Sequence, residues 1–343
     1  MWQLRNDTPF AAERTFTRAA DGTEVFVVAV RATFDVAADG SLVPAAEQPP
    51  VVLAPEFFGD PAHSGLRYES DLIDETSGTD LVVHGTAYAP RGRPVPSLEV
   101  GLSLGAWHRD LRVVGDRRWR RGIRDLVPSA PEPFERMPLT YDRAWGGTLD
   151  ASRRDERNPI GTGAFAAPDT PVPNLEELDA PVTTSRTPIP PAGVAPIPSH
   201  WEPRRSAAGT HDDTWMRTRR PLRPVDFQLA ANRCAPVRQQ LPDFVRGNEV
   251  LVLRHLTPDP EWSVQLPPLD LLCTTAFDTG RERHRGRVHT IYVEPDVRRV
   301  ALIWVSRLPC HHTLYRLRES TVSLRARLPL GISRARARHA SAV

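Results

Sequence analysis

The chain has 343 residues, 40% hydrophobic and 25% charged; that is enough for one large domain or two ordinary ones and excludes wholesale disorder. All 44 basic residues are arginine, against 42 acidic ones and a net charge of +2. The lack of lysine removes the phosphate-loop nucleotidases, the protein kinases and the Schiff-base pyridoxal enzymes, and the small net charge gives no global attraction to nucleic acid.

The first residues, Met1 to Asp7, show neither the basic nor the apolar region of a secretory signal. From Glu24 onward the pattern is that of strands. Val25 to Val36 is rich in valine and aromatics, and Ala37-Ala38-Asp39-Gly40 turns it into a hairpin with Leu42-Val43. Leu98 to Leu104 alternates apolar and polar side chains, a half-buried strand that returns through Gly105 into Leu111 to Val114. Pro128 to Pro242 then holds 19 of the 35 prolines, so it cannot be sheet interior. Its aromatics Trp145, Trp201, Trp215, Phe227 and Phe244 argue for an ordered, irregular wrap rather than a linker, with one short helix over Pro224 to Ala231. A second β block follows, with strands Val250 to Leu253, Leu269 to Phe277, Val288 to Val293 and Val297 to Val305. The Glu294-Pro295-Asp296 turn closes its last hairpin. After Pro309 the arginines at 316, 318, 325, 327, 334, 336 and 338 read as a basic tail. The expected architecture is mainly β: antiparallel, sandwich-like sheets, a proline-rich irregular middle and few short helices. It comprises a body over 1–308 (β block 20–127, wrap 128–247, β block 248–308) and a tail over 309–343.

No apolar run approaches the roughly 18 residues of a membrane-spanning helix. Cys234, Cys273 and Cys310 are too few and too scattered for a disulfide framework. A cytoplasmic protein without membrane contact is expected. Cys310-His311-His312 places metal-capable groups in sequence, but neighbours on a strand face opposite ways, so structural or surface roles are favoured over zinc. His211-Asp212-Asp213 reads as a solvated turn rather than a base with its orienting carboxylate. Glu69, Asp71, Asp74, Glu75 and Asp80 crowd one segment, where a carboxylate pair for glycoside hydrolysis is weighed against a solvated acidic loop, and the loop is favoured. Arg117-Arg118-Trp119-Arg120-Arg121 resembles a single-strand nucleic-acid cluster. Stacking on Trp119 and pairing with the acidic loop is preferred, so no nucleic acid is expected. Trp145-Gly146-Gly147 and Gly161-Thr162-Gly163 supply turns rather than a dinucleotide loop. No catalytic residue, metal or cofactor is assigned.

A co-linear series of short motifs resembles the bacterial DUF2169 family. It begins with Tyr68-Glu69-Ser70-Asp71-Leu72, Gly78-Thr79-Asp80 and Gly85 to Pro90, followed by Gly115-Asp116-Arg117-Arg118-Trp119. Next come Pro133-Phe134, Met137-Pro138-Leu139-Thr140-Tyr141, Ala144-Trp145-Gly146-Gly147 and Asn158-Pro159-Ile160-Gly161. Pro173 to Glu176, Gly209-Thr210-His211-Asp212 with Trp215, Arg220-Pro221, Asp226-Phe227, Cys234-Ala235-Pro236, Gln239-Gln240 and Arg246-Gly247-Asn248-Glu249 complete it. The series covers about residues 20 to 308. His211 departs from it, standing where the family commonly has tyrosine, and residue 145 is tryptophan where phenylalanine is commoner. The family's members lie beside type VI secretion genes. The resemblance therefore implies an adaptor or chaperone, not an enzyme, that binds an effector toxin and helps load it onto the secretion spike. A β-sandwich hydrolase using the acidic carboxylates, or a structural part of a phage-tail-like particle, are the alternatives.

Overall fold

The computed structural model describes residues 3–311 and 313–325. Its centre is the strand Glu24–Val36, whose whole length is buried except at two half-exposed positions. The run is uniformly apolar because both faces are covered. Phe26, Val28, Val30, Ala32 and Phe34 point into the main core, while Val25, Val27 and Ala29 point into a second one that contains Val51, Cys234, Ala235 and Tyr292. Alternate side chains of a strand face opposite ways, so a strand roofed on both sides reads as continuous hydrophobicity rather than alternation.

Glu24–Val36 lies inside a six-stranded sheet. Antiparallel to it run Ala11–Arg18 on one side and Arg299–Pro309 on the other, and Leu42–Pro44 forms the expected hairpin with its end. Arg287–Glu294 pairs antiparallel with Arg299–Pro309 and parallel with Asp80–Val83. A five-stranded sheet runs Leu175–Glu177, Trp107–Val114, Ser97–Leu104, Val250–Arg254 and Glu261–Gln265. Its Val100, Leu102, Leu111, Val113, Leu251 and Leu253 meet the Phe26 face in the main core. That opposition is the sandwich expected from the sequence. A four-stranded sheet of Gln3–Asp7, Leu317–Leu324, Leu271–Phe277 and Gly280–His284 adds Leu271, Cys273, Leu317 and Val322 to the same core.

The proline-rich middle is ordered and wraps these sheets. Trp201 and Tyr141 join the main core with their rings edge to face, 5.5 Å apart, while Trp145 packs with Trp119, Val172, Val182 and Ile189 in a third cluster. Trp215 is half-buried and donates its indole N–H to Leu222 O. Among the described residues no helix is long and apolar enough to cross a membrane.

Two expectations are corrected. No helix spans Pro224 to Ala231; the segment holds only a 3-10 turn at Leu229–Asn232. The Gln228 N–H is taken by Ala207 O, and the Asp226 carboxylate by the Thr210 backbone and hydroxyl, so tertiary partners draw out the turn that helix formation would need. Among the described residues the two short α-helices are instead Arg204–Ala207 and Asp213–Thr218, the second capped by Asp212 accepting from Trp215 N–H. The basic tail does not begin at residue 309 either. Leu317–Leu324 is a strand between Gln3–Asp7 and Leu271–Phe277, with Leu317, Ser320 and Val322 buried. Arg318 within it, with Arg316 and Arg325 at its ends, obscures an inward-facing row at near-alternate positions. The arginines from 327 onward lie outside the described residues.

Candidate functional site

The acidic segment that reads as a solvated loop is a buried seam between the six-stranded sheet and the wrap. Glu69, Asp71, Asp74 and Asp80 are each at most 6% exposed. Each meets an arginine from elsewhere. Asp71 takes Arg31 of the central strand at 3.0 Å and also accepts the Val52 N–H. Glu69 takes Arg204 at 2.6 Å, and the same guanidinium donates to Ile197 O and Ala231 O. Asp74 pairs with Arg223, and Asp80 with Arg233, while Asp80 also accepts the N–H groups of Cys234 and Ala235 at 2.6 and 3.0 Å. Glu75 lies at the half-exposed margin and reaches Arg307. Arginine suits this role, because its planar fork satisfies a carboxylate and several carbonyls together.

Aromatic hydroxyls line the same seam. Tyr68 donates to Glu294 at 2.6 Å, stands edge-on to Tyr292, and carries Arg31 4.6 Å from its ring centre. Burial and the Glu294 contact push the Tyr68 phenol up to about 12. The Tyr292 hydroxyl accepts the Glu69 N–H, and burial raises both Tyr292 and the neighbouring Cys234 thiol well above their ordinary values. Neither is a ready nucleophile at neutral pH. Burial opposes charge at Arg31, yet Asp71 outweighs it and holds the guanidinium above its ordinary value.

A second junction joins both sandwich sheets to the wrap. Arg109 of the five-stranded sheet donates to Glu177, Gln239 and Gly193 O, and Gln239 in turn donates to Leu81 O of the six-stranded sheet and to Val194 O. Beyond it, a 420 Å³ cleft opens between Leu66, His84, Pro138, Tyr141 and Ile160, with Asp296 at its rim. Asp296 accepts from Thr86 and Tyr88, and the His84 ring donates to Arg67 O.

The remaining motif positions build fold. Asn158 is fully buried and donates to Tyr141 O and Trp145 O, which pins the Trp145-Gly146-Gly147 turn against Pro159 and Gly161. A Cβ on Gly146 would stand 2.1 Å from Asn158 O, and one on Gly115 only 1.8 Å from Glu132 O, so close backbone approach demands glycine at both. Asp116 accepts from Asn174, Ser70 donates to Leu53 O, Met137 is buried beside the exposed Pro138, and Gly247 turns the chain against Pro268. Arg117 does pair with acid, but with Glu176 at 2.6 Å rather than with the acidic segment; Arg120 reaches Asp169. Trp119 is fully buried and, among the described residues, no arginine stacks on it, because its ring faces the Trp145 cluster. Cys310 is buried with its thiol on Leu308 O, and His211 packs on Trp215; His312 lies outside the described residues. The acidic segment's arginine partners stand at sequence separations of 40 to 232 residues, so composition alone could not pair them. The available signal was Leu72 and Ile73 amid the acids, an apolar pair that a solvated loop does not need.

No curated protein and no solved structure matches the chain significantly. The family model described as "Uncharacterized protein conserved in bacteria (DUF2169)" matches residues 21–305, which span both sheets of the sandwich, the seam and the wrap. The chain belongs to the DUF2169 family.

Proposed function

We propose that the protein is an adaptor or chaperone of type VI secretion, working in the cytoplasm, that binds an effector toxin and helps load it onto the spike complex. The observation that carries this reading over a hydrolase is the fate of the acidic residues. Glu69, Asp71, Asp74 and Asp80 are each engaged by a guanidinium and withdrawn from solvent. A glycoside hydrolase needs two carboxyls facing a substrate across an open site, one of them free to give up a proton. Here the same groups are ion-paired between the wrap and the sandwich instead of facing an open site. Binding at a protein surface rests on a few well-packed anchors rather than on area.

Deletion of the gene tests the proposal. Secretion of one particular toxin should stop while the machine continues to fire, and the tagged protein should retain that toxin or a spike protein from its native cell. Unchanged secretion of every effector, with neither toxin nor spike retained, overturns it.

A further inference from the structure

Where the wrap enters the second β block, a 490 Å³ groove runs between the segments 243–246, 268–271 and 285–288, floored by Trp304. Its floor is apolar and closed: Trp304, Leu271, Val288 and Val245 are each at most 8% exposed. Its walls carry Arg246, Arg285 and Arg287, all exposed. Arg285 is neutralised by Asp270 at 3.1 Å. Arg246 and Arg287 have no carboxylate within ion-pair distance among the described residues, in contrast to the guanidiniums of the seam; Arg287 rests 4.8 Å from the Phe244 ring centre. At this rim the Arg325 N–H donates to Asp270 O at 2.9 Å. Two guanidiniums without ion-pair partners among the described residues thus face one groove of a protein whose net charge is only +2.

We propose that this groove docks an acidic, partly apolar peptide segment of a partner protein, with its carboxylates on Arg246 and Arg287 and its apolar side chains toward the Trp304 floor. Guanidinium forks match carboxylates, and a partner rich in Asp or Glu would be steered to this edge by the unpaired arginines. A nucleic-acid strand fits less well. Phe244 already carries Arg287 on its ring and His289 beside it, so it offers bases no open stacking platform. The inference rests on the adaptor reading only in taking the partner to be a protein.

The test is fluorescence anisotropy on the full-length protein with a labelled peptide of alternating Glu and Leu, about ten residues long, which extended spans roughly 33 Å. A matched Lys-Leu peptide and oligo-dT of equal charge are the comparisons. The Glu-Leu peptide should bind, weaken with salt, and lose about tenfold or more in affinity in Arg246→Glu, an exposed position. Arg287→Ala should add to that loss. Unchanged affinity in Arg246→Glu overturns the proposal, as does equal binding of the Lys-Leu peptide. Tighter binding of oligo-dT, with the same dependence on Arg246, reassigns the groove to nucleic acid. Peptide binding in a protein that supports no toxin's export would leave this inference standing and fail the adaptor reading; the reverse result fails the groove alone.

Discussion

Arginine does opposite work in two regions of this protein. In the seam, Arg31, Arg204 and Arg233 are at most 4% exposed, and each holds a buried carboxylate together with backbone carbonyls or an aromatic face. In the groove, Arg246 and Arg287 are exposed and, among the described residues, no carboxylate lies within ion-pair distance of either guanidinium, although the Arg246 backbone N–H donates to Glu249. The residue type is the same, and the difference lies in what the fold brings within reach. Buried guanidiniums fix the wrap to the sandwich; exposed ones keep their hydrogen-bonding capacity for a second molecule.

The sharpest way to break this contrast is to remove one member of a buried pair. Asp80→Ala strands the Arg233 guanidinium and frees the N–H groups of Cys234 and Ala235. Loss of one partner from a buried pair costs about 3–5 kcal/mol, and urea unfolding should show a drop of that size. A loss under about 1 kcal/mol, the usual ceiling for surface pairs, would place the pair with the surface ones and abolish the distinction.

Acid gives the next-largest effect. Burial holds His289, which lies beside Phe244, and His284, hydrogen-bonded to Thr275 and Ser306, down to about 4. The unfolded chain takes up these protons near the ordinary histidine value of about 6.5. The neutral rings therefore contribute full stability above about pH 6.5, and that contribution is lost as pH falls toward 4. The total per ring is on the order of 1–3 kcal/mol. His289→Leu should flatten the fall of stability between pH 6.5 and 4, measured by urea midpoints; an unchanged slope would show that this ring is not held neutral by the fold.

The smallest stability effect belongs to the groove. Arg246→Ala should leave stability within about 0.5 kcal/mol of the parent, as at surface sites without partners, while lowering affinity for the acidic peptide. A large stability loss there would mean that this arginine, too, is structural.

Strand content and the ordered middle were legible because they rest on local chemistry. Valine-rich runs, the Asp39-Gly40 turn and five aromatics among the prolines need no knowledge of distant neighbours. The hairpin of Glu24–Val36 with Leu42–Pro44 stands as read. Leu317–Leu324 was hidden because its exposed face carries arginine, and the Pro224 to Ala231 segment was misread because Ala207 and Thr210 compete for its hydrogen-bonding groups.

By itself, then, the sequence determined a lysine-free, strand-rich chain with family motifs in order and an aromatic-studded proline segment. Only the tertiary structure decided which charges are buried. Asp80 and Arg233 lie 153 residues apart along the chain, and the decision between a solvated carboxylate and a buried ion pair depends on a desolvation cost that no local pattern encodes. Pairing across such distances exists only once the wrap has closed on the sheet, which is why acids written next to one another in the chain end on different arginines in the fold.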